Sequence, residues 1–424
     1  MAAGPDQGSE AERGSVTERI DVVIVGAGQA GLALSHELSA AGIPHAILER
    51  GRVGETWRRY YDSFCLVTPN WTVQLPGRQY SGPDPDGYMV RDEVVATLED
   101  YAHSFAAPVR EDVFVTGVER ASGGGFLVHT RAGDLHSRAV VLATGSFQRP
   151  NRPAVAASLP ADVPRMDVGA YRNEGALPPG GVLMVGGGQS GAQVCEELRA
   201  AGREVVLACG KSAWLPRRLA GRDIVWWLDK AGFFDQTMED LPSPAARLLP
   251  NPTATGHGGG HDLHVRTLQA LGVRLAGHFL GVKDGVARFA PDLPDSAAWG
   301  DQRHRELMST IRRFAERDGL DVPVADDPGP ILERGPERLD LSEFGVVIFA
   351  AGYRPGYPSW FRASEAFDDV GFPLQREGVS DVIPGLFFIG VHFQRCRKSS
   401  LLFGVGEDAA VVSRHVRAFL RGAV

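Results

Sequence analysis

Gly26-Ala27-Gly28-Gln29-Ala30-Gly31 recurs in form 160 residues further along the chain as Gly186-Gly187-Gly188-Gln189-Ser190-Gly191. Each stretch follows an apolar run typical of a buried strand, residues 20–25 and 182–185, and precedes a helical pattern. Glycines permit the unusual backbone angles of a tight turn and the close approach of a pyrophosphate, whose charge then lies at the positive end of the helix. Two such turns, each between a strand and a helix, predict two dinucleotide sites.

The residues that follow the two turns differ at the same offset from the first glycine. The first site has Glu49 there, whose carboxylate can bind a ribose diol, and Arg50 follows it. The second site has Cys209 instead, with Lys211 two residues on and Arg217 further along. A cation suits the 2′-phosphate of NADP, which an acid would repel. We predict an adenine dinucleotide with a free ribose in the first site and NADP in the second, although Lys211 also fits an ordinary solvated loop residue.

Several further segments occur in an order that resembles the class B flavin-dependent monooxygenases, in particular compact bacterial members with two dinucleotide-binding domains. Besides the two turns, they are residues 51–57 (Gly-Arg-Val-Gly-Glu-Thr-Trp), Ala143-Thr144-Gly145, Ala350-Ala351-Gly352-Tyr353 and residues 385–390. The resemblance covers nearly the whole chain beyond residue 20. It implies an α/β fold of two Rossmann-like domains in three layers, the second inserted into a discontinuous first. It also implies FAD in the first site, NADPH in the second, and a reduced flavin that captures dioxygen as a peroxide.

The same resemblance implies cofactor contacts, position by position, on the residues that match the motifs. The pyrophosphate of FAD would lie on the backbone of the first turn, and its adenine on the main chain of Val115. The full set for FAD is Gly26, Gly28, Gln29, Ala30, Gly31, Glu49, Arg50, Gly54, Thr56, Trp57, Val115, Thr144, Gly145, Gly390 and Val405. The set for NADPH is Gly186, Gly188, Gln189, Ser190, Gly191, Lys211 and Arg217.

One motif of the family is degenerate in this chain. The family carries Phe-x-Gly-x-x-x-His, followed four residues later by Phe or Tyr, just before the second glycine turn. Tyr171 matches the final aromatic residue, but Asp167 occupies the histidine position, and Ala161 and Val163 replace the phenylalanine and the glycine. This departure bears on the monooxygenase activity more than on the fold.

The resemblance also points to Asn70 as a catalytic residue. Family members place a polar side chain from the corresponding stretch, residues 66–71 here, near the flavin carbon that reacts with oxygen. Asn70 is the only amide in this stretch, and an amide can donate a hydrogen bond to a peroxide without protonating it outright. The alternative is a turn-forming role, since Asn70 follows Pro69 and Pro-Asn is common in turns.

Three cations lie in the late segment 392–400, which the resemblance places beside the flavin. We predict that Arg395 or Lys398 binds a carboxylate on the substrate, because guanidinium and ammonium groups are the usual binders of such anions. The alternative is a clamp on a phosphate of FAD or a salt bridge to Glu407.

The order of motifs predicts four parts in the chain. Residues 1–18 form a disordered tail, residues 19–165 the first part of the FAD domain, residues 166–344 the NADP domain, and residues 345–424 the remainder of the FAD domain. Within the NADP domain, residues 241–260 are rich in proline and glycine and predict a mobile loop that could act as a lid. Residues 301–317 predict an amphipathic packing helix.

Composition excludes several classes of protein. The chain has 424 residues, 43% of them hydrophobic, and a net charge of −8, which gives no basic surface for nucleic acid or an acidic membrane. Since no apolar run approaches a membrane span and residues 1–18 do not form a signal peptide, we predict a cytoplasmic protein. The expected partners are a small-molecule substrate and O2; the oligomeric state, with a homodimer as one option, stays open.

Cysteines and histidines bear on two further classes of site. Disulfide reductases share this architecture but use a close dithiol, whereas the four cysteines here are scattered, the nearest pair being Cys195 and Cys209. His257, His261 and His264 are close in sequence, but they lack neighbouring cysteines, and we predict no metal site.

These observations lead to three hypotheses for the function. The first is an NADPH-dependent FAD monooxygenase acting on a small soluble substrate, with nitrogen as the favoured atom. The second is an NADPH-dependent flavin oxidoreductase that produces hydrogen peroxide or passes electrons to another acceptor. The third is a flavoprotein whose redox state controls binding to a partner. The degenerate motif is the one sequence feature that favours either alternative.

Overall fold

A computed structural model describes residues 18–321 and 327–422 of the chain. Within this part of the chain there are twenty-three strands, eight α-helices and ten short 3-10 helices. The strands are β1 (Glu18–Val25), β2 (His45–Leu48), β3 (Gln74–Leu75), β4 (Arg78–Gln79), β5 (Val109–Arg110), β6 (Val115–Arg120), β7 (Phe126–Thr130), β8 (Gly133–Leu142), β9 (Arg149–Pro150), β10 (Arg165–Asp167), β11 (Gly181–Val185), β12 (Val205–Ala208), β13 (Arg218–Leu219), β14 (Arg222–Asp223), β15 (Arg274–Ala276), β16 (Phe279–Lys283), β17 (Val286–Phe289), β18 (Arg338–Asp340), β19 (Phe344–Phe349), β20 (Tyr353–Arg354), β21 (Gln375–Arg376), β22 (Val379–Ser380) and β23 (Leu386–Phe388). The helices are α1 (Gln29–Ala40), α2 (Glu55–Arg58), α3 (Arg91–Ser104), α4 (Gln189–Ala200), α5 (Ile224–Lys230), α6 (Val265–Ala270), α7 (Leu293–Arg317) and α8 (Val405–Leu420). The tail predicted for residues 1–18 lies outside the described residues, except for Glu18, which begins β1.

The first sheet has nine strands that come from both ends of the chain. Its path is β21-β22-β23-β8-β1-β2-β5, and β7 and β6 extend from β8 as an antiparallel ribbon. Strand β1 pairs in parallel with β8 and β2, and Val22, Val23 and Ile24 are fully buried, as expected for a parallel strand covered on both faces. Helices α1 and α8 pack against each other over one face of this sheet. The first glycine turn therefore follows a central strand.

The second sheet repeats this plan with five parallel strands in the order β10-β19-β11-β12-β15. Its strand β11 lies between β19 and β12, with Val182, Leu183 and Met184 fully buried. Helix α4 covers one face, and the small antiparallel sheet β16-β17-β18 packs on the other. The two sheets confirm the predicted α/β fold with two Rossmann-like domains.

The chain crosses between the two domains twice, and the crossing segments pair with each other. Pro150 in β9 lies opposite Tyr353 in β20, in an antiparallel pair. Strand β19 pairs with β10 and β11, so it belongs to the second sheet, and the predicted boundaries at residues 165 and 344 require correction. The second domain begins after β9 and ends before β20. The sequence marks β19 as a buried strand, but which of two sheets it enters depends on its tertiary partners.

An aromatic cluster joins helices α5 and α7 of the second domain to the first domain. Helix α7 extends the helix predicted for residues 301–317 at its N-terminal end, and its Ile311 and Phe314 are buried as the pattern predicts. Phe314 packs near Trp227 of α5, and Trp71 and Phe403 from the first domain complete the cluster.

Among the described residues, no helix is both long and apolar enough to cross a bilayer.

Candidate functional site

The first and second glycine turns, residues 26–31 and 186–191, have the same backbone geometry. The φ angles of Gly26 and Gly186 are +111° and +112°, in a region that side chains disfavour. A Cβ atom on Gly26 would lie 2.8 Å from the carbonyl oxygen of Ala143, and one on Gly186 would lie 2.6 Å from that of Ala350. Both turns therefore press against the end of a neighbouring parallel strand, β8 or β19.

The middle glycine of each turn faces open space. A Cβ atom added to Gly28 or Gly188 would meet no atom of the described residues within 4 Å. These glycines are also the N-caps of α1 and α4, and neither helix has a side-chain hydrogen bond at its cap. The first N–H groups of both helices can thus bind an anion, with room for a backbone-bound pyrophosphate. The residues present fit a dinucleotide at each turn.

The carboxylate of Glu49 is fixed beside the first turn. Its Oε2 accepts a hydrogen bond of 2.8 Å from the backbone N–H of Ala27, and its Oε1 accepts one of 3.1 Å from that of Gly51. Glu49 lies at the end of β2 and is buried. Each carboxylate oxygen keeps a lone pair for a further donor, as ribose hydroxyl groups require.

The first turn is surrounded by segments that are distant in sequence. The N–H of Gly54 donates to the carbonyl oxygen of Ala27 at 3.1 Å. The side chain of Gln29 accepts a hydrogen bond of 3.0 Å from the indole N–H of Trp57 and donates one of 3.2 Å to the carbonyl oxygen of Ser400. Of the predicted FAD contacts, the structure therefore brings Gly54 and Trp57 onto the turn, together with the segment 392–400.

Other predicted FAD residues lie around this centre. Gly390 follows β23, and a Cβ atom on it would lie 2.6 Å from the Cβ of Ala30 in the turn. Val405 begins α8, which packs against α1. Thr144 Oγ1 and the carbonyl oxygen of Gly145 both accept hydrogen bonds from the side chain of Gln148. Three more predicted contacts are placed as follows: Arg50 and Thr56 are exposed beside the turn, and Val115 begins β6 opposite Thr130.

The second turn is covered by part of the loop predicted to be mobile. The side chain of Gln189 donates a hydrogen bond of 2.5 Å to the carbonyl oxygen of Ala254 and accepts one of 3.2 Å from its N–H. The hydroxyl of Thr255 lies 3.5 Å from the side-chain nitrogen of Gln193 in the same helix. Gln29 and Gln189 thus have the same role, since each amide ties a remote segment to its turn.

Residues 209–211, which follow β12, carry no acid, although the carboxylate of Asp292 acts on Cys209. Cys209 is buried, and burial raises the pKa of its thiol to about 12. Lys211 is exposed, with its ammonium group 5.9 Å from the ring centre of Trp299. Ser190 lies half-buried in the first turn of α4. An exposed cation beside a neutral thiol suits the predicted 2′-phosphate.

Arg217 is not available to NADP, which corrects its prediction as a contact. Its side chain is only 1% exposed and forms an ion pair with Asp223. Its Nη1 donates a hydrogen bond of 2.7 Å to the carbonyl oxygen of Val67, and its guanidinium lies 4.7 Å from the ring centre of Tyr88. Val67 and Tyr88 belong to the first domain, so this buried cation joins the two domains. Spacing placed Arg217 near the turn, but only the tertiary contacts show its partner.

Asn70 is held in the turn-forming arrangement that was the alternative to a catalytic role. Its Nδ2 donates a hydrogen bond of 2.9 Å to the carbonyl oxygen of Asp84, and its Oδ1 accepts one of 2.7 Å from the N–H of Met89. The side chain is buried. Because both ends of the amide are engaged by backbone groups, a hydrogen bond to a bound peroxide would require one of these bonds to break.

We predict a structural effect for Asn70→Ala. The free energy of unfolding should fall by about 2 to 4 kcal/mol, because two hydrogen bonds are lost and the buried N–H of Met89 keeps no partner. Denaturant titration measures this loss, and Gln302→Ala on the exposed face of α7 is the matched control. A variant as stable as the wild type that releases more hydrogen peroxide per NADPH would instead support the peroxide role.

The two cations predicted to bind substrate are already paired. Lys398 Nζ lies 2.8 Å from Glu407 Oε1 and 3.1 Å from Asp235 Oδ1. Arg395 Nη1 lies 3.1 Å from Oδ1 of Asp408, whose pKa is raised to about 6 by burial although Arg395 opposes the shift. The structure thus contains the salt bridge to Glu407 that was the alternative. The role of Arg395 and Lys398 as substrate-binding cations stays a prediction, and a substrate carboxylate there would compete with the carboxylates that already pair with both charges.

The third cation of this segment, Arg397, has a different environment. Its Nη1 donates a hydrogen bond of 3.0 Å to Asn251, and its Nη2 donates one of 3.0 Å to Gln236. Both partners are neutral amides from the second domain. The sequence shows three neighbouring cations, and only the tertiary structure shows that Arg397 has no counter-ion among residues 18–321 and 327–422.

The degenerate motif and the histidine group have structural partners in the fold. Asp167, at the histidine position of the motif, forms an ion pair with Arg152, and the hydroxyl of Tyr171 donates a hydrogen bond of 2.8 Å to Glu197 in α4. His261 pairs with Glu196, and the His264 side chain caps α6, while His257 lies in the short turn before them. Asp167, Tyr171, His261 and His264 thus have side-chain partners within the fold.

The fold and the paired turns define an oxidoreductase with two dinucleotide sites, and comparisons with known proteins agree. A family model described as pyridine nucleotide-disulphide oxidoreductase matches residues 23–226. An uncharacterised CzcO-like oxidoreductase from Geobacillus kaustophilus (strain HTA426) is 31% identical over 392 residues, covering 92% of this chain and 96% of that protein. An indole-3-pyruvate monooxygenase from Oryza sativa subsp. japonica is 32% identical over 384 residues, covering 85% and 82%. The structure of a flavin-containing monooxygenase from Stenotrophomonas maltophilia superposes with a TM-score of 0.66 at 19% identity, covering 95% of this chain and 99% of that one.

The chain belongs to the class B flavin-dependent monooxygenase family, which confirms the resemblance inferred from its motifs. It is accordingly an oxidoreductase, and this membership supports the prediction of FAD and NADPH as cofactors. The matched family model takes its description from disulphide chemistry, but all four cysteines of this chain are free thiols, and Cys65, Cys195 and Cys209 are buried. A dithiol relay is therefore not the basis of the similarity.

Proposed function

We propose that the protein is an NADPH-dependent FAD monooxygenase that transfers one oxygen atom from O2 to a small organic substrate. The observation that carries this proposal is a difference between the two glycine turns, which have the same backbone geometry but are followed by different residues at the ribose end. Glu49, held by two backbone N–H groups, suits the free ribose of FAD at the first turn. Cys209 and Lys211 suit the phosphorylated ribose of NADPH at the second. FAD supplies the redox chemistry when bound, and the chain supplies binding and orientation.

The residues between the two turns hold the domains in contact. The hydroxyl of Tyr61 donates a hydrogen bond of 2.7 Å to Gln193 in α4, and Ser63 donates one of 2.6 Å to Glu197 in the same helix. These contacts link the segment after α2 of the first domain to the helix that follows the second turn. Electron transfer from NADPH to FAD needs such a fixed approach of the two sites, because a hydride moves only between atoms in near contact.

The proposal is tested with labelled oxygen. FAD-loaded protein is supplied with NADPH, oxygen-18 gas and candidate substrates, beginning with indole-3-pyruvate because a relative is named for that substrate, and followed by amines and sulfides. We expect one labelled oxygen atom in the product for each NADPH oxidised. Mass spectrometry of the product locates the oxygenated atom, which we expect to be nitrogen. NADPH consumption matched by hydrogen peroxide, with no label in any product, would contradict the proposal.

That contrary result would support a second candidate, an NADPH-dependent flavin oxidoreductase that produces hydrogen peroxide. The observation that favours it is the degenerate motif, in which Asp167 replaces histidine and pairs with Arg152. An aspartate in an ion pair accepts hydrogen bonds and cannot donate one as histidine does. Any contribution of that histidine to oxygen transfer would be missing in this chain.

We predict that Lys211→Ala lowers the preference of the protein for NADPH over NADH. The ratio of the two dissociation constants should change by about tenfold to a hundredfold, since a charge-assisted contact to phosphate contributes about 1.5 to 3 kcal/mol. Titration of the FAD-loaded protein with NADP and NAD measures the ratio without turnover. The control is Lys230→Ala, since Lys230 lies at the end of α5 and pairs with Asp229. An unchanged ratio would show that Lys211 is a solvated loop residue.

A further inference from the structure

Arg397 is a half-buried cation with no carboxylate beside it. Among residues 18–321 and 327–422, no carboxylate oxygen lies within 4.0 Å of its guanidinium, whereas the neighbouring Arg395 and Lys398 are both paired. Its two hydrogen-bond partners, Asn251 and Gln236, are neutral amides. Removing a charge from water without a counter-ion is costly, so the arrangement needs compensation from elsewhere.

The hydrogen bonds of Arg397 leave one edge of the guanidinium half satisfied. Nε and Nη2 point along the same edge, and Gln236 Oε1 accepts from Nη2 alone. Nε is buried and has no partner among the described residues. A carboxylate supplies two acceptor oxygens to such an edge, in the paired geometry that guanidinium groups favour. The amide of Gln236 is the weaker acceptor, and a carboxylate can displace it.

Aromatic rings flank the same guanidinium. Its central carbon lies 4.2 Å from the ring centre of Phe233 and 4.8 Å from that of Phe393. Such contacts stabilise a cation by less than the cost of leaving its charge buried and unpaired. Burial also lowers the pKa of Arg397 to about 10, which leaves the group charged at neutral pH. The rings hold the cation in place without neutralising it.

The segment that carries Arg397 also contacts the first glycine turn. Three residues along the chain, the carbonyl oxygen of Ser400 accepts the hydrogen bond from Gln29 of that turn. Asn251 and Gln236 come from the second domain, so Arg397 lies where the two domains meet. The ring of Phe147, which is 61% exposed, lies 6.0 Å from the ring of His392 at the beginning of the same segment. The segment thus carries a cation without a counter-ion among the described residues and, through His392, reaches an exposed aromatic ring, a combination that suits an amphipathic organic acid.

We propose that Arg397 binds the carboxylate of the substrate and that the substrates of this enzyme are organic acids. The claim that the anion is a substrate rests on the proposed function. The anion site itself is inferred from the contacts of Arg397 alone. It assigns to Arg397 the task that one hypothesis from the sequence gave to Arg395 or Lys398.

Binding is tested without turnover by isothermal titration of the FAD-loaded protein, in the absence of NADPH, with phenylacetate and its neutral analogue phenylacetamide. We expect the wild type to bind phenylacetate and Arg397→Gln to bind it about a hundredfold more weakly, while binding of phenylacetamide is equally weak in both. Arg397→Lys keeps the charge but loses the paired geometry, and should lie between them.

Arg247→Gln is the matched control. Arg247 also lies over a phenylalanine ring and joins the same loop to the first domain, but it is paired with Asp368. If Arg397 only fastens this loop, the two glutamine variants will weaken phenylacetate binding equally, which would overturn the inference. Wild-type protein that binds none of phenylacetate, phenylpyruvate and benzoate would also overturn it. If Arg397→Gln does not fold, an unchanged phenylacetate affinity in Arg397→Lys would overturn the inference instead.

The anion site and the proposed function can fail separately. Arg397-dependent binding of phenylacetate, together with no labelled product in the oxygen-18 experiment, would keep the anion site and reject monooxygenation. Labelled product from neutral substrates, with binding unaffected by Arg397→Gln, would keep monooxygenation and reject the organic-acid inference.

Discussion

Gly188→Val is expected to lower the free energy of unfolding by no more than about 1 kcal/mol, because valine is a poor N-cap, while weakening NADPH binding by at least about a hundredfold, because the valine occupies the space of the pyrophosphate. The fold accepts the side chain, since an added Cβ atom meets no described atom within 4 Å and the backbone is extended, with φ −72° and ψ −174°. Anaerobic stopped-flow measurement of flavin reduction against NADPH concentration gives the affinity. Denaturant titration gives the stability.

The neighbouring glycine of the same turn provides the contrast. A Cβ atom on Gly191 would lie 2.1 Å from the carbonyl oxygen of Gly186, so Gly191→Ala must displace the backbone of the turn. We expect this variant to lose more than about 2 kcal/mol of unfolding free energy. If flavin reduction in Gly188→Val instead depends on NADPH concentration as it does in the wild type, the second turn is not the NADPH site.

Glu49→Ala is expected to purify with less than about a tenth of the wild-type FAD content. The N–H groups of Ala27 and Gly51 lose their acceptor, at a cost of about 1 to 3 kcal/mol each, and the ribose hydroxyl groups lose theirs. FAD content is read from the ratio of flavin to protein absorbance, and titration of the apoprotein gives the dissociation constant. Glu119→Ala is the control, because Glu119 pairs on the surface with Arg362.

Glu49→Gln separates the two roles of the carboxylate. A glutamine offers one acceptor oxygen and places an N–H2 group against a backbone N–H, so FAD content should lie between the wild type and Glu49→Ala. Full FAD content in Glu49→Ala would show that the ribose of FAD binds elsewhere.

Most of the architecture was predictable from short segments of sequence. The two turns need glycine at fixed positions because a strand end and the turn itself approach too closely for a side chain, and this requirement is visible in the sequence. The same holds for Glu49, whose distance from Gly26 is set by one helix and one strand. The predicted domain boundary at residue 344 was wrong because a buried apolar segment such as β19 can pair with parallel strands of either sheet, and its sequence does not specify which.

The sequence by itself determined the fold class, the two dinucleotide turns and their unequal ribose ends, because each depends on residues joined by one local strand-turn-helix unit. The tertiary structure alone decided the state of the charged residues. Arg217, Arg395 and Lys398 pair with carboxylates, whereas the partners of the Arg397 side chain among the described residues are two neutral amides. Pairing of charges depends on distances between segments far apart in the chain, which spacing along the sequence does not encode.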